Sequence, residues 1–159
     1  MLDLAEATAL ITREAMLLDR RRWREWLDLY CEDCVFWMPA WLDEDTTTSD
    51  PDAELSHIYY KGRHNLEDRV WRATSGMSVA SDILARVCHQ VTNIIVEGPD
   101  SATAAFCSHI YEPKRQRQRS LFGRYDYQFV SQADELRIAA KTITLMNDRI
   151  ETVADFYMV

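Results

Sequence analysis

Tyr30-Cys31-Glu32-Asp33-Cys34-Val35-Phe36-Trp37-Met38-Pro39-Ala40-Trp41 is the stretch in which the chain changes character. Before it, apolar residues recur at three- and four-residue intervals; after it, alternation and turn residues take over. Glu32 and Asp33 read as an acidic turn closing a helical layer, with an extended aromatic segment following over 35–38. Helices first and strands afterwards point to an α+β domain, its helices packed on one face of a curved, mainly antiparallel sheet. Pro39 lacks the N–H that a ladder bond requires, so the strand before it is expected to be short or to lie at an edge.

Working outward toward the N-terminus, Leu4, Ala7, Ile11 and Leu18 share one helical face, with Leu10 and Leu17 beside them. Arg20-Arg21-Arg22 interrupts this pattern, which restarts with Trp23, Trp26, Leu27 and Tyr30 on one side of a second helix. Arg21, Arg22 and Arg24 are then outward and solvated. Toward the C-terminus, residues 43–52 contain no large apolar side chain and read as a solvated loop. They lack the ligand spacing and the central Gly of a calcium loop. Ile58-Tyr59-Tyr60 is a brief extended piece before a turn at Lys61-Gly62. Leu66, Val70, Ala73 and Met77 mark a third helix that Gly76 stops, with Glu67, Asp68, Arg69 and Arg72 mostly outside. Strands are expected over 87–96 and 103–111. Leu121, Tyr125, Tyr127 and Phe129 then alternate with Arg124, Asp126 and Gln128 in a half-buried strand. A turn at 132–135 leads to a last strand ending at Leu145.

One domain over 1–159 is the simplest organisation, and 47% hydrophobic residues suffice for a core. A formal charge of −8 repels a nucleic-acid backbone and suits a basic protein partner. No apolar run is long enough for a membrane span. The first residues lack the basic start and apolar block of a secretory signal, so a cytoplasmic location is expected. In that compartment Cys31, Cys34, Cys88 and Cys107 read as reduced thiols.

Cys31-x-x-Cys34, Cys88-His89 and Cys107-x-His109 offer zinc-type ligands. Cys88 and His89, however, are neighbours on a strand and face opposite ways, and the single Cys pair has no second knuckle. A redox role is disfavoured because Glu32 and Asp33 raise a neighbouring thiol pKa. Buried, inert thiols are the simpler reading. A cone of sheet and helices can hold a small molecule, and His89, His109, Asp33 and Tyr59 could serve acid–base chemistry there. A free-standing isomerase or dehydratase using His89 and Asp33, or a small-molecule-binding protein, is therefore the alternative function. Arg115, Arg117 and Arg119, with Lys114, form the one dense basic patch: a solvated hairpin tip, or a docking surface for carboxylates of another chain. Trp37, Trp41, Tyr59 and Tyr60 join these arginines as interface candidates on residue type and position.

Several stretches carry a family resemblance: Glu14-Ala15-Met16-Leu17-Leu18-Asp19, Trp26-Leu27-Asp28-Leu29-Tyr30, Phe36-Trp37-Met38-Pro39-Ala40-Trp41, Ser49-Asp50-Pro51, Ile58-Tyr59-Tyr60 and Leu66-Glu67-Asp68-Arg69-Val70. Others follow in His89-Gln90-Val91-Thr92-Asn93, Phe122-Gly123 and Lys141-Thr142-Ile143-Thr144-Leu145-Met146-Asn147-Asp148. In order, and over nearly the whole chain, they resemble the small (β) subunits of aromatic-ring-hydroxylating dioxygenases of the benzoate/anthranilate/toluate type. The resemblance implies a cone similar to nuclear transport factor 2 and a structural, non-catalytic subunit with no metal or cofactor of its own. It also implies a larger α subunit as partner, commonly as α3β3, carrying a Rieske [2Fe–2S] cluster and a mononuclear non-haem iron. A reductase, with or without a ferredoxin, would bring electrons from NADH. The chain itself has no C-x-H…C-x-x-H pair and no two-His, one-carboxylate set.

Overall fold

A computed structural model describes residues 1–75, 83–147, 149–150 and 154–159. Gly76 and Met77, expected at the end of the third helix, lie outside the described residues. Helix α1 (Leu4–Asp19) buries Ala7, Ile11, Glu14, Leu17 and Leu18. Leu4 is exposed; Leu2 is buried in its place, its N–H donating to the Pro99 carbonyl at 2.8 Å. The chain leaves α1 through Arg21 at φ 56° and restarts as α2 (Trp23–Leu27), a helix of five residues. Tyr30, expected on that helix, instead opens the first strand, β1 (Tyr30–Pro39).

The strand β1 departs from expectation in two ways. Glu32 and Asp33 lie within it, both exposed, where the pairing register shifts between Tyr30 and Val35. The strand is also ten residues long and internal, because Pro39 is its last residue and the register on one side slips between Met38 and Pro39. The missing donor thus falls where the ladder is already ending. β2 (Ser56–Lys61) is the short edge strand, and Gly62 at φ 88° turns it into α3 (Arg63–Thr74). Leu66, Val70 and Ala73 form the buried stripe of α3, as their spacing requires.

Four long strands complete the sheet: β3 (Arg86–Val96), β4 (Ser101–Glu112), β5 (Arg117–Gln132) and β6 (Glu135–Leu145). The order is β2-β1-β6-β5-β4-β3, and of these neighbours only β1 and β6 run parallel. Ala133 and Asp134 turn β5 into β6 with φ of 50° and 63°, as a two-residue hairpin of the I′ kind needs. Register shifts at Thr92/Ile95 and Gln128/Phe129 bend the sheet, so it curls around its helix-covered face. That face carries Phe36, Met38, Phe106, Tyr125, Tyr127 and Ile143, all buried. The helix α1 lies along the outer edge of β3. Asp19 accepts the His89 N–H at 2.9 Å, and Arg21 donates to the carbonyls of Leu84 and Ala85. A sheet edge that could pair with another chain is thereby occupied in part.

One element had no counterpart in the sequence reading. The C-terminal residues form a 3-10 turn (Phe156–Met158) that enters the core, with the Phe156 ring 5.3 Å from that of Trp26. Arg69 holds the turn through both carboxylate oxygens of Asp155, and Ser108 donates to the Met158 carbonyl at 2.6 Å.

Gly123 on β5 sits opposite Leu145 on β6, and a Cβ there would collide with the Thr144 carbonyl. Gly123→Ala is expected to destabilise the fold by about 1–3 kcal/mol, the usual cost of overpacking. Urea unfolding followed by tryptophan fluorescence measures this loss.

Candidate functional site

The inside of the cone holds charge. Glu14 continues the stripe of Ala7, Ile11 and Leu18 on α1, and Lys141 shares the inward phase of β6 with Ile143 and Leu145. Both side chains are 0% exposed and meet at 3.0 and 3.2 Å. Trp26 Nε1 and Tyr30 OH each donate to Glu14 Oε1 at 2.8 Å, and Tyr127 OH donates to Oε2 at 3.4 Å. The Lys141 ammonium lies 4.0 Å from the centre of the Tyr125 ring and donates to the Val159 carbonyl at 3.4 Å.

Burial alone would raise the Glu14 pKa, but Lys141 and the donors outweigh it and hold the carboxyl below its ordinary 4.5. For Lys141, burial pulls the pKa down and Glu14 opposes it. The same burial, with the Glu14 charge, pushes Tyr30 and Tyr127 well above 10, so both remain donors. The cluster is a closed ion pair with no space for a substrate between its members.

The acid–base set expected from the sequence does not assemble. His89 faces inward from β3 and pairs with Asp19, not Asp33, its Nδ1 2.6 Å from Asp19 Oδ1. The His89 side chain is 0% exposed, so its free Nε2 has no route to a solvent-borne substrate. Asp33 is exposed on β1, separated from β3 by three intervening strands. His109 points to the opposite face of the sheet, 3.0 Å from Ser120 Oγ, and Tyr59 OH donates to Asp52 at 3.2 Å. The period-two alternation of a strand is what sends His89 and His109 to different faces.

Cys31 and Cys34 are buried, as expected, whereas Cys88 is exposed and Cys107 half-buried. Burial, with Asp33 adding to it, pushes Cys31 up to about 11, and burial takes Cys34 to about 12. Among the described residues no three His, Cys, Asp or Glu side chains converge to hold a metal. The groups at hand therefore do not fit either an iron–sulfur cluster or a mononuclear iron.

The interface candidates fall into two places. Trp37 and Tyr59 are cross-strand partners on the face away from the helices, with Trp37 Nε1 donating to Ser56 Oγ at 2.8 Å. Trp41 follows β1 and donates to the Leu145 carbonyl at 2.6 Å, while Tyr60 packs inward against the core. The arginines do not share one strand face. Arg115 lies in the turn between β4 and β5, Arg117 is exposed at the start of β5, and Arg119 is half-buried beside Glu112 at 3.9 Å. The strand begins two residues later than alternation alone suggested, because Gln116 takes φ 50°.

Residues 13–152 match the family described as the ring hydroxylating beta subunit. The chain belongs to that family. It is 40% identical over 156 residues to the 2-halobenzoate 1,2-dioxygenase small subunit of Burkholderia cepacia, covering 97% of this chain and 94% of that one. It is 34% identical over 158 residues to the benzoate 1,2-dioxygenase subunit beta of Acinetobacter baylyi, covering 98% and 94%. The crystal structure of the β subunit of benzoate 1,2-dioxygenase from Burkholderia mallei shares 32% identity and superposes with a TM-score of 0.81, over 100% of this chain and 99% of that one. The fold is accordingly the cone similar to nuclear transport factor 2. A chain of this family is one part of a multi-chain oxidoreductase, with an α subunit as its partner.

The Glu14–Lys141 pair was missed in the sequence, although a signal was present. Each charge occupies an inward position of its element's apolar repeat, and two opposite charges so placed predict one another. Removing only one charge is expected to be severe: Glu14→Gln leaves a buried ammonium without its anion and costs about 3–5 kcal/mol, whereas the paired Glu14→Gln/Lys141→Met change, which removes that ammonium and keeps an acceptor for Trp26 and Tyr30, recovers most of that loss. Urea melts of the three proteins compare them. The lowered Glu14 pKa also carries a pH signature. Its stabilisation is full above the ordinary 4.5 and fades as pH falls through the lower folded value. In that acid window Glu14→Gln should lose stability less steeply than the natural chain.

Proposed function

We propose that this chain is the non-catalytic, structural β subunit of a Rieske non-haem iron oxygenase acting on an aromatic carboxylate of the benzoate type, in aromatic-compound catabolism. The observation that carries this reading is end-to-end similarity, at 34–40% identity, to small subunits of 2-halobenzoate and benzoate dioxygenases. Chemistry inside the chain supports it. The cone is filled by an ion pair and aromatic rings, and three surface clefts, one of about 830 Å³ along the outer side of α1 and α2, are lined by neither Glu14, Lys141 nor His89.

In this reading the whole of 1–159 is one domain, assembled with α subunits as α3β3. The Rieske cluster and the mononuclear iron belong to the α subunit. A reductase, with or without a ferredoxin, delivers electrons from NADH, and the complex works in the cytoplasm; no helix among the described residues is long and apolar enough to cross a membrane. The β chain's part is to present a rigid surface. Trp37, Trp41, Tyr59, Arg115 and Arg117 contribute outward contacts, while Tyr60 and Arg119, turned inward, fix their neighbours.

Co-expression with a Rieske-type α chain tests this. The two chains should co-purify, with iron tracking the α chain and ring hydroxylation requiring the complex. His89→Ala in the complex should lower the melting temperature but leave turnover within about twofold, since the ring only clamps Asp19. Turnover by the β chain alone, abolished by His89→Ala, would refute the assignment.

A further inference from the structure

The outer face of the sheet carries a group of reactive side chains that the proposed function leaves unused. Along β4 the buried, inward positions are Ala102, Ala104, Phe106, Ser108 and Ile110, so Cys107 and His109 share the outward face. Their side chains meet there, His109 Nε2 lying 3.8 Å from Cys107 Sγ. The register supplies the neighbours. His109 stands between Ser120 on β5 and Cys88 on β3, and Cys107 between Phe122 and Gln90. No third ligand converges on this pair among the described residues, so it does not hold a metal.

The second ring nitrogen of His109 is also engaged, with Nδ1 3.0 Å from Ser120 Oγ. Ser120 is fixed in turn by Asn147, which donates to its carbonyl at 2.9 Å and accepts the Phe122 N–H at 3.1 Å. When Nδ1 donates to Ser120, Nε2 carries the lone pair and presents it to the Cys107 thiol. A thiol, an imidazole within reach of it and a third group orienting that imidazole are the arrangement that activates a nucleophile.

The surroundings select the reaction. Strand β4 is paired on both sides, so the backbone N–H groups around Cys107 are spent on the ladders. Acyl transfer would need such donors for its oxyanion. Thiol–disulfide exchange needs none, because the charge passes from one sulfur to another. Cys107 is half-buried, whereas Cys88 is exposed and its thiol makes no hydrogen bond among the described residues. The two are diagonal neighbours across the ladder, a separation of about 7–8 Å, which a disulfide cannot span without backbone movement. An external disulfide is therefore the partner open to Cys107.

We propose that Cys107 is a site of reversible modification by small disulfides such as oxidised glutathione, with His109 as its base and Ser120 positioning the imidazole. His109 Nε2 takes the thiol proton as the Cys107 sulfur attacks one sulfur of the disulfide. The new S–S bond forms as the old one breaks, and the leaving thiolate takes the proton from His109 and departs as a thiol. One disulfide is consumed and one mixed disulfide is made, so no further oxidant enters. Excess thiol runs the same step backwards.

Treating the full chain with oxidised glutathione at neutral pH, and timing the adduct at each cysteine by peptide mass spectrometry, tests this. Cys107 should be modified at least about tenfold faster than Cys88, a margin within what a positioned base supplies. Access alone gives the opposite order, and the comparison lies within one protein and needs no variant. His109→Gln should slow Cys107 at least about tenfold and leave Cys88 within about twofold. Ser120→Ala should slow Cys107 as well, and Ser120→Thr should restore it, because the hydroxyl orients the ring. Dithiothreitol should return the chain to its starting mass. Modification of Cys88 before Cys107 in the natural chain overturns the proposal. So does an unchanged Cys107 rate in a His109→Gln chain whose melt matches the natural one.

Discussion

A buried carboxylate cannot be left without a partner, and Glu14 is the point on which the interior of this protein turns. Desolvating an isolated charge costs far more than a single hydrogen bond returns. Glu14 is therefore tolerable only because Lys141, Trp26, Tyr30 and Tyr127 all converge on it. These partners come from α2, β1, β5 and β6, so one anion on α1 fixes the position of the helical layer over the middle of the sheet. A cross-sheet row of Tyr60, Phe36, Lys141, Tyr127 and Ala102 passes under it. Apolar packing would tolerate several helix placements; this cluster accepts one.

The cost of that arrangement is the cavity. A curved sheet closed by helices is a natural container, yet here the volume is taken by ring stacks, the ammonium and the C-terminal turn. The histidine best placed to look catalytic is spent on structure: its ring and its backbone N–H are both held by Asp19 along the edge of β3. What remains free is the periphery, where an ordered acidic loop, a basic hairpin and half-exposed aromatics project from one end of the sheet. The chain thus keeps its exposed charge and half-exposed aromatics at the periphery, in keeping with the scaffolding role proposed for it.

Much of this was legible in the sequence. The apolar repeats of α1 and α3 and the alternation of Leu121, Tyr125, Tyr127 and Phe129 gave the layers and their buried faces, because periodicity follows directly from side-chain direction. The turn at 132–135 and the opposed faces of Cys88 and His89 followed from the same geometry. Partner identity was not legible. Nothing local told whether His89 would meet Asp33 or Asp19, since that depends on which helix crosses which strand. Pro39 misled for a related reason: a proline forbids a ladder bond only where one would otherwise form, and Pro39 is the last residue of β1, at a slip in the register. The C-terminal turn stayed hidden because three residues carry no period.

The Glu14–Lys141 ion pair and its donors, not a ligand site, occupy the middle of the cone. Titrating the purified chain with benzoate, and following the indole N–H resonance of Trp26 by heteronuclear NMR, tests this most directly, because that proton points at Glu14. The account predicts a resonance that does not move at millimolar ligand. A saturable shift, with matching changes at the Tyr30 and Tyr127 rings, would show a binding chamber where the ion pair is said to stand, and would contradict it.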